Sequence, residues 1–365
     1  MVAYFQPDYY AFRNQFRELA TQRGFALEAH TLKAKGPGDR DLTIDTAYLG
    51  PMITDTSGPA RVFAVSCGTH GTEGPSGSAV QAQFLNDMLD ELTLPDDGAI
   101  LLVHAHNPYG FAWVRRQNED NVDINRNFLE PEDPRPTSQN YRDVYDILNP
   151  TDLTDETTAE FVEKAWALVD KHGMAWVQQA FTEGQYEFPR GVYYGGKERV
   201  ESNRRLSGIY GDVLRHAKEA VLIDMHTGAG DYATYEALSR HEVGAPGYQW
   251  LCEALGEENV KYPAGEESVM TPTQGNVTAG ICKENPHADI RAFSCEIGTF
   301  EGARMILAER AEGWLWAHGD RDSEQGKAIV AEVGECSNPA DPEWREKVLD
   351  IGDEVITACW NKLFS

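Results

Sequence analysis

Three stretches of the chain are apolar almost throughout and close on polar residues and a glycine: 61–67 (RVFAVSC), 220–228 (AVLIDMHTG) and 290–297 (IRAFSCEI), the last followed by Gly298. Short apolar runs bounded in this way read as buried strands. Between them the spacing of apolar positions changes to three or four residues. Pro75 opens a predicted helix over 76–92, entered through a proline near its first turn. A helical repeat over 157–181 carries Phe161, Ala165, Leu168 and Val169, and 301–317 and 343–363 read as amphipathic helices that pack on the sheet. Their tryptophans, Trp314, Trp316, Trp344 and Trp360, are expected in the core rather than against a ligand. The N-terminal 1–24 reads as a further helix and 25–51 as short edge strands. Strands alternating with helices predict the α/β class.

Composition narrows this picture. With 365 residues and 41% apolar content the chain can bury a large core. That length admits one α/β domain with insertions or two domains, and one, spanning 1–365, is expected. The Pro-rich, acidic start of 131–190 marks a helical insertion that could roof a site, and helices over 301–365 complete the C-terminal part. A formal charge of −27, from 59 acids against 32 bases, excludes nucleic acid and anionic membrane as expected partners, because no basic tract is present to neutralise phosphates. No run approaches the roughly 18 apolar residues of a membrane span. Residues 1–23 mix charges with spread aromatic residues and lack a signal-peptide pattern, so a cytoplasmic location is expected. Six cysteines are scattered without CxxC pairs, which disfavours a disulfide framework or thiolate metal site; Cys67 and Cys295 read as small buried hydrophobes.

The chemistry gathers where the apolar runs end. His70 and Glu73 follow the first run, in Cys67-Gly68-Thr69-His70-Gly71-Thr72-Glu73-Gly74, at the strand-to-helix turn where open α/β sheets place their ligands. Zinc accepts imidazole nitrogen and carboxylate oxygen, and a catalytic site needs three protein ligands, so a third must come from elsewhere. The bare pair is common by chance; its surroundings decide. The second run ends in His226, with Asp224 two residues earlier on the same strand face, a carboxylate suited to orient a metal-bound imidazole. The third ends in Glu296. Against the acidic background, Arg115, Arg116 and Arg126 within twelve residues could hold an anionic small substrate. Alternation would put His104 and His106 on one face; hydrogen-bonded structure is the expected role there, ahead of a second metal. The segment 191–196 (GVYYGG) reads equally as a substrate loop or as packing.

These residues fall into an ordered pattern. His70-x-x-Glu73 is followed by Asn107-Pro108-Tyr109-Gly110, Arg116, Asp123-Ile124-Asn125-Arg126-Asn127-Phe128, then the strand-end His226 and Glu296. In this order the chain resembles the zinc carboxypeptidase superfamily, carboxypeptidase A-like, over about residues 60 to 300, with Tyr109 where the pattern has Asp. The strand ends around His226 and Glu296 are also similar to the deacylase side, succinylglutamate desuccinylase and aspartoacylase, and 69–74 and 191–196 look like a bacterial metallopeptidase group of that superfamily.

The resemblance implies a three-layer α/β/α fold with a mixed, mostly parallel sheet of about eight strands. It implies one zinc ion held by His70, Glu73 and His226, Glu296 as general base, Arg116 polarising the scissile carbonyl, and Asn125 with Arg126 gripping a free carboxylate. A guanidinium fork suits that carboxylate better than a lysine would. Superfamily peptidases bring a tyrosine over the substrate from between the last metal ligand and the base; of Tyr232, Tyr235, Tyr248 and Tyr262 in that interval, Tyr232 is taken as the candidate. The implied activity is zinc-dependent hydrolysis of an amide beside a free carboxylate, on a small peptide or an N-acyl amino acid. A deacylase and a catalytically silent binding member of the fold are the alternatives.

Overall fold

The computed structural model describes residues 2–130, 132–262 and 273–365. Pro131, the first residue of the expected insertion, lies outside them. Among the described residues eight strands form one sheet: β1 (Ala26–Gly36), β2 (Arg40–Leu49), β3 (Arg61–Cys67), β4 (Gly98–His104), β5 (Glu219–Gly228), β6 (Tyr235–Ser239), β7 (Val260–Lys261) and β8 (Asp289–Gly298). Their order is β1-β2-β4-β3-β5-β8-β6-β7. The central four, β4, β3, β5 and β8, are parallel; β1 with β2, β2 with β4 and β6 with β8 pair antiparallel, and β6 with β7 parallel, so the sheet is mixed as expected.

The apolar runs identified from sequence are the buried central strands, and each face of the sheet has its own core. On one face Phe63, Val65, Val221, Ile223, Phe293 and Cys295 pack under α1 (Tyr9–Gln22), α2 (Gly74–Gln83), α8 (Pro246–Leu255) and α12 (Pro342–Phe364). On the other, Val62, Ala64, Ala220, Leu222, Ile290 and Ala292 pack under α7 (Glu201–Leu214) and α9 (Val277–Glu284). Period-two alternation along β3, β5 and β8 therefore serves two helical layers, giving a three-layer α/β/α architecture. Cys67 and Cys295 are buried thiols, as expected.

Several boundaries differ from the sequence reading. The first helix starts later, at Tyr9, because the Asp8 side chain caps the Ala11 N–H. The edge strands are a long antiparallel hairpin, β1 with β2, rather than short pieces; β1 is exposed and carries Glu28, Lys33 and Lys35, residues that blunt a free sheet edge. The expected helix over 157–181 breaks at Gly173, whose φ of 88° ends α5 (Asp155–His172) and leads into α6 (Met174–Thr182). With α4 (Gln139–Leu148) these helices share an apolar cluster that reaches Ile306 and Leu307 of α10 (Gly302–His318). Trp344 and Trp360 are core residues, but Trp314 is only partly buried and Trp316 is exposed, because α10 faces these accessory helices and α11 (Glu324–Ser337) rather than the sheet. Among the described residues no helix is long and apolar enough to cross a membrane.

Candidate active site

The site grows out of the sheet's own alternation. On the face shared with α7 and α9, β5 reads Ala220, Leu222, Asp224, His226 and β8 reads Ile290, Ala292, Ser294, Glu296. Asp224 pairs with Ser294 and His226 with Glu296, so the same face that is apolar at its base turns polar at the C-terminal edge. The chain leaves β3 for β4 on one side and returns to β5 on the other, and the loop after β3 lies at that divergence, where such sheets bind ligands. This loop carries His70 and, on a single tight turn (Gly71–Glu73), Glu73. Gly71 is required there: a Cβ would fall 2.0 Å from the Gly110 carbonyl carbon of α3 (Pro108–Trp113).

Among the described residues His70, Glu73 and His226, all buried, bring one potential ligand atom each to within 4.8 Å of one another. Both imidazoles turn Nδ1 to the Glu73 carboxylate, His70 at 2.8 Å from Oε1 and His226 at 2.9 Å from Oε2. Burial opposes the negative charge of Glu73, yet the two histidines hold its carboxyl well below the ordinary range. On its far side His226 Nε2 lies 2.7 Å from Asp224 Oδ2, which raises the imidazole against its burial. Asp224 is itself fixed by Ser66 Oγ and Thr69 Oγ1, each donating at 2.8 Å. Two imidazoles and a carboxylate, with a further carboxylate behind a ring nitrogen, make the donor set zinc takes, so the residues fit the ion the motif implies.

His70 Nε2 faces two groups at once: Arg116 Nη2 at 2.8 Å and Asp123 Oδ1 at 3.4 Å. A guanidinium only donates, so in this arrangement Nε2 accepts and Nδ1–H donates to Glu73. Ligation through Nδ1 needs the other tautomer, with Nε2–H donating to Asp123. Asp123, fully buried, also accepts from Arg116 Nε at 3.0 Å. Despite its burial Asp123 is held well below the ordinary carboxylate range by Arg116 and His70, and Asp123 and Glu309 hold the Arg116 charge in turn. Asp123 has no role that the motif alone assigns; it stands behind His70 as Asp224 stands behind His226.

Glu296 is buried at the end of β8, its Oε1 accepting from the Ala229 N–H at 3.0 Å. Burial and the nearby Glu73 charge push its carboxyl up to about 7. It lines a narrow cleft with His70, His226, Asn125, Arg126 and Arg240. Asn125 Oδ1 accepts from the Val277 N–H at 3.0 Å. Arg126 donates to the Asn125 and Thr182 carbonyls at 3.1 and 3.0 Å, while its Nε is buried without a hydrogen-bond partner among the described residues. Arg240 was missed by the sequence reading, since nothing local to residue 240 signals a site.

Other candidates lie elsewhere. Tyr232 is an exposed residue whose hydroxyl donates to Asp341 Oδ2 at 2.8 Å, so it is held at the start of α12 and not among the cleft residues. Tyr235 and Tyr248 are bonded to Glu354 and to the Val260 carbonyl. Arg115 is buried against Glu312 of α10 and turns from the cleft. His104 and His106 do not share a face, because β4 ends at His104: His104 meets Ser78 of α2 and stacks on Phe16, whereas His106 bonds Thr69 and Tyr210 of α7. Both are hydrogen-bonded structural residues. In the 191–196 segment the Tyr194 carbonyl accepts the Asp123 N–H at 2.7 Å, and Tyr193 lies under the Arg116 guanidinium, so it packs behind the site.

Fold and site together define a three-layer α/β/α protein with a buried His–Glu–His cluster at the C-terminal edge of its central strands. The chain belongs to the family described as "Protein of unknown function (DUF2817)", whose model matches residues 5–351. No curated protein matches it. Similar solved structures include carboxypeptidase A from Helicoverpa armigera, at 12% identity and TM-score 0.46, covering 92% of this chain and 75% of that one. Bovine thrombin-activatable fibrinolysis inhibitor, in complex with tick carboxypeptidase inhibitor, matches at 12% and 0.47, covering 90% and 99%. Succinylglutamate desuccinylase from Chromobacterium violaceum matches at 15% and 0.36, covering 90% and 74%.

Proposed function

We propose that this protein is a zinc-dependent hydrolase that cleaves an amide bond adjacent to a free carboxylate, carboxypeptidase-like, on a small peptide or an N-acyl amino acid. One observation carries the reading: a single cleft is lined by two imidazoles of the His–Glu–His cluster, by the buried carboxylate of Glu296, and by the buried guanidinium of Arg126. Zinc held by His70, Glu73 and His226 would acidify a bound water and polarise a carbonyl. Glu296 has one oxygen on Ala229 N–H, leaving Oε2 to accept a proton and return it to the leaving nitrogen. Asp123 and Asp224 fix the orientation of the two imidazoles. Asn125 and Arg126 hold the substrate's carboxylate, and Arg116, held here against His70 Nε2 and Asp123, turns to the developing oxyanion when substrate binds.

An N-acyl amino acid deacylase would use the same groups and differ only beyond the scissile bond. Metal analysis of the purified protein, with assays of N-acyl amino acids beside C-terminally free peptides, tests the reading. Stoichiometric zinc and hydrolysis that is lost on chelation and restored by zinc are expected. A protein that binds such ligands without zinc or turnover would instead be a silent binding member of the fold.

Arg116→Ala should lower kcat on the order of 10²-fold while changing KM little, the pattern of a group acting on the transition state. Steady-state kinetics on the best substrate check this. A raised KM with kcat unchanged would reassign Arg116 to substrate anchoring.

A further inference from the structure

We propose that Arg240 selects an acidic side chain, so that the residue carrying the free carboxylate is a dicarboxylic amino acid held by Arg126 at one carboxylate and by Arg240 at the other. This rests on the hydrolase reading above and names its substrate class.

Register places the residue. On β6, Glu236 pairs with Glu296 and Leu238 with Ser294, so the even-numbered positions face the site, and Arg240 continues that series with its N–H on the Ala292 carbonyl. Ser294 lies two residues before Glu296 on β8, roughly 7 Å deeper at about 3.3 Å per residue. That is the depth a side chain explores beyond an α-carboxylate held near Glu296. Arg240 therefore stands at the floor of the cleft.

Two neutral hydroxyls aim its guanidinium. Nε donates to Thr278 Oγ1 at 2.8 Å and Nη2 to Ser294 Oγ at 2.7 Å. Among the described residues no carboxylate lies within ion-pair distance of Arg240, whereas Arg115 pairs with Glu312 and Arg116 with Asp123. In a chain with 59 acids against 32 bases, a cation lining the cleft without a carboxylate is set apart. Burial pushes its guanidinium down to about 10, against the opposing pull of Asp224, which lies beyond ion-pair distance. A planar fork fixed by hydroxyls suits bidentate recognition of an incoming carboxylate. With Arg126 beside it, the cleft presents two guanidinium groups to a ligand, and a dicarboxylate answers both.

The test compares ligands that differ only in side-chain carboxylate or carboxamide: N-acyl glutamate against N-acyl glutamine, and N-acyl aspartate against N-acyl asparagine. Calorimetric binding to zinc-loaded Glu296→Gln protein and kcat/KM of the wild type are both measured. The acid should exceed its amide at least about 10-fold in one pair, as a charge-assisted hydrogen bond implies. Arg240→Ala should bring that ratio toward one, and Arg240→Lys should keep part of it. Equal binding of acid and amide by the otherwise wild-type cleft, or an undiminished ratio in Arg240→Ala, overturns the proposal. The wild-type ratio needs no Arg240 variant and stands even if Arg240→Ala fails to fold. Selective binding without any hydrolysis would sink the hydrolase reading alone, and hydrolysis without acid preference would sink this one alone.

Discussion

Glu296→Gln is expected to leave zinc bound and remove hydrolysis by about 10²- to 10⁴-fold, the scale of a positioned general base. The amide keeps the size of the carboxylate, and its oxygen still accepts the Ala229 N–H that fixes the side chain. Proton acceptance is lost together with the negative charge. His70→Ala, Glu73→Ala and His226→Ala should instead lower zinc occupancy itself, because each removes one of three clustered donors. Metal content and turnover measured on the same preparations separate the two effects. Retained turnover in zinc-loaded Glu296→Gln would show that another group takes the proton.

The second large effect concerns the substrate's free carboxylate. Converting it to a carboxamide should lower kcat/KM roughly 30-fold to several-thousand-fold, because breaking a buried charge pair costs about 2–5 kcal/mol. Arg126 is the group this leaves unpaired: it is buried, its Nε lacks a hydrogen-bond partner among the described residues, and Asp123 approaches only to 4.0 Å. Arg126→Ala should therefore abolish the preference for acid over amide. Matched acid and amide forms of the best substrate, assayed with wild type and variant, give the ratio. Equal rates in the wild type would remove both the exopeptidase and the deacylase readings and leave an endo-acting or esterase-like role.

What could be read from sequence follows from where each residue sits. His70, Glu73, His226 and Glu296 stand at the ends of apolar runs, and strand alternation alone puts Asp224 behind His226. The central strands and both helical layers were visible for the same reason, since a doubly covered strand has to be apolar on both faces. Arg240 was invisible because its place depends on antiparallel pairing of β6 with β8, a long-range register that no local pattern encodes. No local pattern separates the four tyrosines between His226 and Glu296, and Asp341, the N-terminal cap of α12, claims the Tyr232 hydroxyl. His104 and His106 are the hydrogen-bonded residues expected, but alternation does not carry past the end of β4, so they do not share a face. Trp316 misled because an amphipathic pattern does not say which neighbour a helix will face.

The cluster joins Glu73 to His226 across 153 positions of chain, through a crossover that must already have laid β5 beside β3. An unfolded chain holds no such site, so the proposed zinc would be a ligand of the native state alone, and its binding free energy would add to folding stability. The melting temperature should then climb with free zinc, by about 2.7 kcal/mol of added stability once zinc exceeds its dissociation constant 100-fold. Thermal scans at buffered zinc concentrations would record that climb, and a flat response would mean that the ion does not discriminate folded from unfolded chain.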